Sequence, residues 1–260
     1  MMRKHHGFAA RYVGSTRSIV ASERTGAADT QLGMTLTFVA GAINAGGFLA
    51  GGQYTSHMSG IFSSMADNLA LGAFDLVLAG LAAFLPFVTG AACSAILINW
   101  GRRHHLESQF ALPLMLEVVL LFGFGVLGWL VYPSPSLALG AVPLLCFIMG
   151  LQNATVTKIS GARMRTTHVT GIVTDIGIEL GKLVYWNRAS RASHHVRADR
   201  DKLRLLALLL ASFFVGGVIG ALGYSRLGFL FSVPLASLLL LLVGPPLAAD
   251  LVAHGRQDRD

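Results

Sequence analysis

Charged side chains are scarce. Only 13% of the 260 residues are Asp, Glu, Lys or Arg, about half the roughly 25% found in soluble domains. With 53% apolar residues and a mean hydropathy of +0.62, the chain is not disordered, since disorder needs low hydrophobicity. Nor does it suit one large soluble domain, which could not cover itself with so few charges. Cysteine is almost missing: Cys93 and Cys146 are the whole complement. Both fall inside predicted membrane spans, so they form no disulfide framework. There is no glycine-rich phosphate loop ending in Lys, no Gly-x-Ser-x-Gly elbow and no His-Glu-x-x-His. Those absences argue against an ATP-driven pump and against the corresponding hydrolases. Residues 1–33 hold no apolar run of the 7–15 residues a signal peptide needs and read as a flexible cytoplasmic tail.

Apolar sequence is abundant, and about 20 such residues cross a bilayer. Six stretches qualify: 34–52, 76–100, 112–132, 137–156, 203–224 and 227–247. Two more, 57–72 and 166–184, are short and polar-striped. The net charge of +7 could suggest nucleic acid, but no aromatic-interleaved basic motif accompanies it. Six spans with both termini inside put 19 of the 20 Lys and Arg on the cytoplasmic side, leaving Arg226 outside. That bias orients multi-span proteins, and eight full spans would turn Arg102 and Arg103 outward. The basic run 188–204 reads as a loop against anionic lipid.

The chain repeats itself. Gly41-Ala-Ile-Asn44-Ala45 matches Gly150-Leu-Gln-Asn153-Ala154 at an offset of 109, and Ser56-His57-Met58-Ser59-Gly60 matches Thr167-His168-Val169-Thr170-Gly171 at 111. Residues 34–132 and 138–248 are thus two copies of one unit, followed by a cytoplasmic tail over 249–260. The expected fold is all-α and polytopic: six transmembrane helices in two inverted three-span repeats, each with an extra short polar helix. An odd number of spans per copy forces the second to enter from the opposite side, as in many secondary transporters.

The polar motifs are the candidate site. Asn44, His57, Ser59, Gly60, Asn153, Thr167, His168, Thr170 and Gly171 are expected to line a cavity between the copies and to bind a small polar solute. Hydroxyls at a helix start satisfy free N–H groups, and the same groups can bind an anion. The two His are alternatively helix caps; with no third and fourth ligand at fixed spacing, no metal site is expected. Asp175 falls on one stripe with His168, Glu179 and Lys182. It is a proton-coupling candidate or part of a solvated face. Glu117, about five residues into the third stretch, is the second proton-coupling candidate, since an intramembrane carboxylate is a functional hypothesis by default. The alternative is snorkelling to the interface. Gly47-xxx-Gly51 and Gly216-xxx-Gly220 are small-xxx-small faces for packing within the bundle or for homo-oligomerisation. A transporter or channel-like carrier is the leading class, a non-transporting scaffold or partner subunit the second, an intramembrane enzyme the last. No catalytic residue and no cofactor is assigned.

These motifs resemble those of the YoaK-like family, bacterial multi-spanning membrane proteins of unknown function. The resemblance covers about 34–248 and rests on Gly41, Asn44, Ala45, His57, Met58, Ser59 and Gly60, then Gly150, Gln152, Asn153, Ala154, Thr166, Thr167, Thr170 and Gly171. The chain departs at Asn44, where the family pattern has Asp, and at Ile61, where it has Asn. The resemblance implies a bacterial inner-membrane location and no substrate.

Overall fold

A backbone in hydrocarbon must satisfy its own hydrogen bonds, so apolar stretches of this length become helices. The computed structural model describes residues 26–104, 106, 108–131, 135–161, 166–185 and 196–257. In chain order these form α1 (Gly26–Gly51), α2 (Met58–Ala70), α3 (Phe74–Arg103), α4 (Ala111–Val131), α5 (Pro135–Ile159), α6 (Val169–Val184), α7 (Arg200–Leu227) and α8 (Ser232–Gln257), with a 3-10 turn, Gly228–Phe231, before α8. Among the described residues there is no strand.

Five runs are long and apolar enough to cross a membrane: Thr30–Gly51, Phe74–Arg103, Ala111–Leu130, Gly140–Ile159 and Arg200–Asp250. The protein is therefore an all-α polytopic membrane protein. The last run has 51 residues and is broken at Gly228, which takes φ +57°. Leu76, Leu78, Leu85, Val88 and Ile96 on α3 are exposed, as befits side chains facing lipid.

Two boundaries differ from expectation. The chain is already helical at Gly26, so 26–33 is not a flexible tail. Leu32 is only 1% exposed within the main core, and burying it extends the helix backward. At the other end helix continues to Gln257 instead of becoming a tail at 249. There Asp250, 3% exposed, accepts a 2.7 Å hydrogen bond at Oδ2 from Ser108 N, in the loop before α4. Residues 1–25 and 258–260 of the two expected tails lie outside the described residues, as does 186–195 of the basic loop.

Packing is organised by two close crossings, α1 on α7 and α3 on α5, with α4 against α8. Both crossings use the same device. Phe38-Val-Ala-Gly41, Phe87-Val-Thr-Gly90, Phe147-Ile-Met-Gly150 and Phe213-Phe-Val-Gly216 place Phe-x-x-Gly on all four helices. Each glycine backbone rests on a phenylalanine carbonyl of its partner: Gly41 on Phe213, Gly216 on Phe38, Gly90 on Phe147 and Gly150 on Phe87. A Cβ at any of these positions would collide with backbone, which cannot rotate away. Small residues at a lipid-embedded crossing let backbones approach, and dispersion then drives association. The Gly216-xxx-Gly220 face is spent inside the bundle, since Gly220 packs on the Ala42 backbone. Gly47 meets Thr55 and Gly51 meets Val142, also within the chain.

Candidate functional site

The segments after α1 and α5 turn back on the helices they leave. Each begins at a glycine with positive φ, Gly52 at +69° and Gly161 at +56°, a conformation that a Cβ disfavours. The returning chain is then latched by an asparagine. Asn44 Oδ1 accepts from Ser56 N at 3.0 Å and from Thr55 Oγ1 at 3.4 Å. Asn153 Oδ1 accepts from Thr167 Oγ1 at 2.7 Å, while Asn153 Nδ2 donates to Met149 O at 2.8 Å. Asn44 lies seven residues before the end of α1, so the latch pulls residue 56 back by about 10 Å along the axis, at 1.5 Å per residue.

Two short helices start from these latches. His57 and His168 occupy the N-cap positions of α2 and α6, and neither ring makes a capping hydrogen bond, which removes the plain capping explanation. The first backbone bonds in register run from Ile61 N to His57 O and from Ile172 N to His168 O. The amides of the preceding turn have no helical carbonyl to bind. The His57 ring covers Gly60, where a Cβ would strike its Cδ2.

Both helix starts open into one cavity of about 1140 Å³. It is lined by Asn44, His57 and Ser59 from the first motif pair and by Asn153, Thr167, His168, Thr170 and Gly171 from the second. Eight of the nine residues expected to bind solute therefore meet there; Gly60 sits under His57 instead of on the wall. Sequence reasoning missed Tyr54, Phe87, Thr157 and Phe213 in the lining. The Phe-x-x-Gly recurrence carries Phe87 and Phe213 and was available as a signal. Among the described residues, no Asp, Glu, Lys or Arg lines the cavity. Among the described residues no cluster of three or more His, Cys, Asp or Glu is placed to hold a metal.

The two expected proton-coupling residues lie elsewhere, in unlike settings. Glu117 on α4 is 0% exposed. Its Oε1 accepts from Gln152 Nε2 at 2.8 Å, and its Oε2 has no partner among the described residues. Gln152 Oε1 accepts in turn from Thr166 Oγ1 at 3.5 Å. Polar contacts therefore run from Glu117 through Gln152 to Thr166, and Gln152 and Thr166 each precede a lining residue of the Asn153–Thr167 latch. Complete burial excludes snorkelling for Glu117. Asp175, by contrast, is half-exposed and lies 3.5 Å from Lys202 Nζ.

Glu179, on the expected polar stripe, is a docking residue and only 1% exposed. Its Oε1 accepts from Lys182 Nζ and its Oε2 from Asp199 N, both at 2.8 Å, tying α6 to the start of α7. The Lys182 hydrogen bond first, then the Asp199 amide, hold its carboxyl below the ordinary value of 4.5. A folded-state value below the unfolded one means that the stabilisation is complete above about pH 4.5 and is lost as pH falls through the lower folded value. Amide hydrogen exchange over 169–184 is therefore expected to stay slow from pH 7 to 5 and to accelerate below about 4.5. Glu179→Gln should show the fast exchange at every pH, after correction for intrinsic rates.

An all-α multi-spanning membrane protein with one cavity into which two helix starts open is the class that this architecture defines. Residues 32–244 match the family described as "Protein of unknown function (DUF1275)", and the chain belongs to that family. This agrees with the resemblance carried by the repeated motifs. No curated protein and no solved structure matches the chain.

Proposed function

We propose that the protein carries a small polar solute across the bacterial inner membrane through the cavity between two inverted repeats. The observation that carries this reading is the lining itself: matched motifs 109–111 residues apart in sequence face one another across a single cavity. Further support comes from the crossings. Shifting Phe38 and Gly41 by 109 gives Phe147 and Gly150, and shifting Phe87 and Gly90 by 126 gives Phe213 and Gly216. The α1–α7 contact thereby maps onto the α5–α3 contact, as a two-fold axis in the membrane plane requires.

In this reading α7 and α8 cross separately, each being longer than the roughly 20 residues needed. The six crossings are α1, α3, α4, α5, α7 and α8, with both termini cytoplasmic. The ends of α1 and α5 then lie at opposite faces, yet the chain after each reaches the same cavity. Both returning segments are re-entrant, and α2 and α6 are half-helices of 13 and 16 residues with their starts near the midplane. Irregular backbone at that depth is tolerated where it lines a wet cavity. Glu117 is the proton-coupling residue in this reading, acting on the wall through Gln152 and Thr166.

In a Cys93→Ala, Cys146→Ala background, Arg226→Cys is expected to react with an impermeant maleimide from outside intact cells and Arg197→Cys only after permeabilisation. The reverse pattern, or protection of both, overturns the six-span arrangement. For transport, the purified chain in liposomes is expected to pass at least one member of a panel of small neutral, anionic and cationic solutes, and Asn153→Ala is expected to slow it. Absence of flux across the whole panel overturns the carrier reading.

A further inference from the structure

The geometry points to an anion, specifically a small organic carboxylate, as the ligand of this cavity. The inference rests on the carrier reading for its transport consequence but not for binding itself. Two helix N-termini converge on one space. Each carries a partial positive charge and first-turn amides without helical carbonyls, here those of the lining residues Met58 and Ser59 and of Thr170 and Gly171. Half-helix starts inside a membrane are suited to anionic groups for this reason.

A second observation is independent of the helices. Asn44 is 8% exposed and lines the cavity. Both of its hydrogen bonds enter at Oδ1, from Thr55 and Ser56, so the Nδ2 amide is a donor with no partner among the described residues. This nitrogen is absent from the fully enclosed unbonded atoms and lies on the cavity lining, so whatever fills the cavity accepts from it. Its repeat counterpart differs, because Asn153 Nδ2 is used on Met149 O. The donor is therefore confined to one side. Ser59 and Thr170 line the same cavity, and among the described residues no lining carboxylate opposes an anion. Phe87, Phe213, Met58 and Val169 supply apolar wall. A donor cluster beside an apolar wall fits a carboxylate head with a short organic body better than a bare halide or a cation.

The test compares benzoate, acetate, benzamide and benzylammonium on the full chain. Binding in detergent is read by thermal shift and calorimetry, and uptake by liposomes carrying the same protein. Benzoate is expected to bind at least about tenfold more tightly than the isosteric benzamide, a difference calorimetry resolves directly. Asn44→Asp keeps the acceptor for Thr55 and Ser56 but replaces the donor with a negative oxygen. Ser59→Asp adds charge at a helix start, where an acid favours folding. Each is expected to weaken benzoate by at least about tenfold and to leave benzamide within about twofold. Equal binding of benzoate and benzamide, tighter benzylammonium, or unchanged benzoate affinity in folded variants overturns the anion site. Benzoate binding without uptake overturns the carrier reading alone. Uptake of the amide or the ammonium without either carboxylate overturns the anion site alone.

Discussion

A Gly150→Val protein is expected to lose the α3–α5 crossing and to disappear from the folded fraction. The reason is the partner, not the volume added. The new Cβ would meet the Phe87 carbonyl carbon and oxygen, which belong to helical backbone and have no rotamer to escape into. Overpacking usually costs about 1–3 kcal/mol, and a rigid backbone neighbour puts this case at or above the upper end. Gly41→Val, at the α1–α7 crossing, is expected to behave alike, because its Cβ would meet Phe213 O. Gly123→Val is the control: a Cβ there has nothing within 4 Å, and its melting temperature should stay within a few degrees of the parent. Size-exclusion yield and thermal melting in detergent read all three. Parental melting for Gly150→Val would show that the close crossing does not hold the bundle together.

The second large effect is expected at Glu117. Gln152 is its one hydrogen-bond donor among the described residues, so Gln152→Leu leaves a fully buried carboxyl with neither oxygen bonded. An unsatisfied buried polar group costs about 1–3 kcal/mol, and removing both partners together costs much less. Gln152→Leu should therefore lower the unfolding midpoint markedly, and the Glu117→Leu, Gln152→Leu double variant should recover most of it. An additive double variant would deny the coupling. Glu117→Gln preserves the acceptor for Gln152 and is expected to fold normally. Its liposome flux should lose the pH dependence shown by the parent, since an amide cannot exchange a proton. Unchanged pH dependence removes Glu117 from the mechanism and leaves it a structural acid.

Much of this architecture was legible locally. A run of about 20 apolar residues has one stable backbone solution in lipid, so each expected stretch is helical, and the large departures are the start of α1 at Gly26 and the end of α8 at Gln257. The two polar-striped segments begin at 58 and 169, beside the histidines that marked them. Asn44 and His57 recur in the sequence as Asn153 and His168, and the four residues line one cavity. Phe-x-x-Gly was equally visible but reads as ordinary apolar sequence until four carbonyls are seen to rest on four glycines. The helix extensions at Gly26 and Gln257 were hidden, because contacts such as Ser108 with Asp250 span 142 residues.

Composition and pattern alone thus set the solvent, the helices and the paired motifs, because each depends on residues near one another in the chain. Packing alone decided the rest. It turned Glu179 from a surface charge into a dock for α7, and it gave Glu117 to Gln152 across 35 residues. It also left Asn44 Nδ2 without a partner among the described residues while using Asn153 Nδ2 on Met149 O. Such choices follow from which backbones can approach closely, and no local periodicity records that approach.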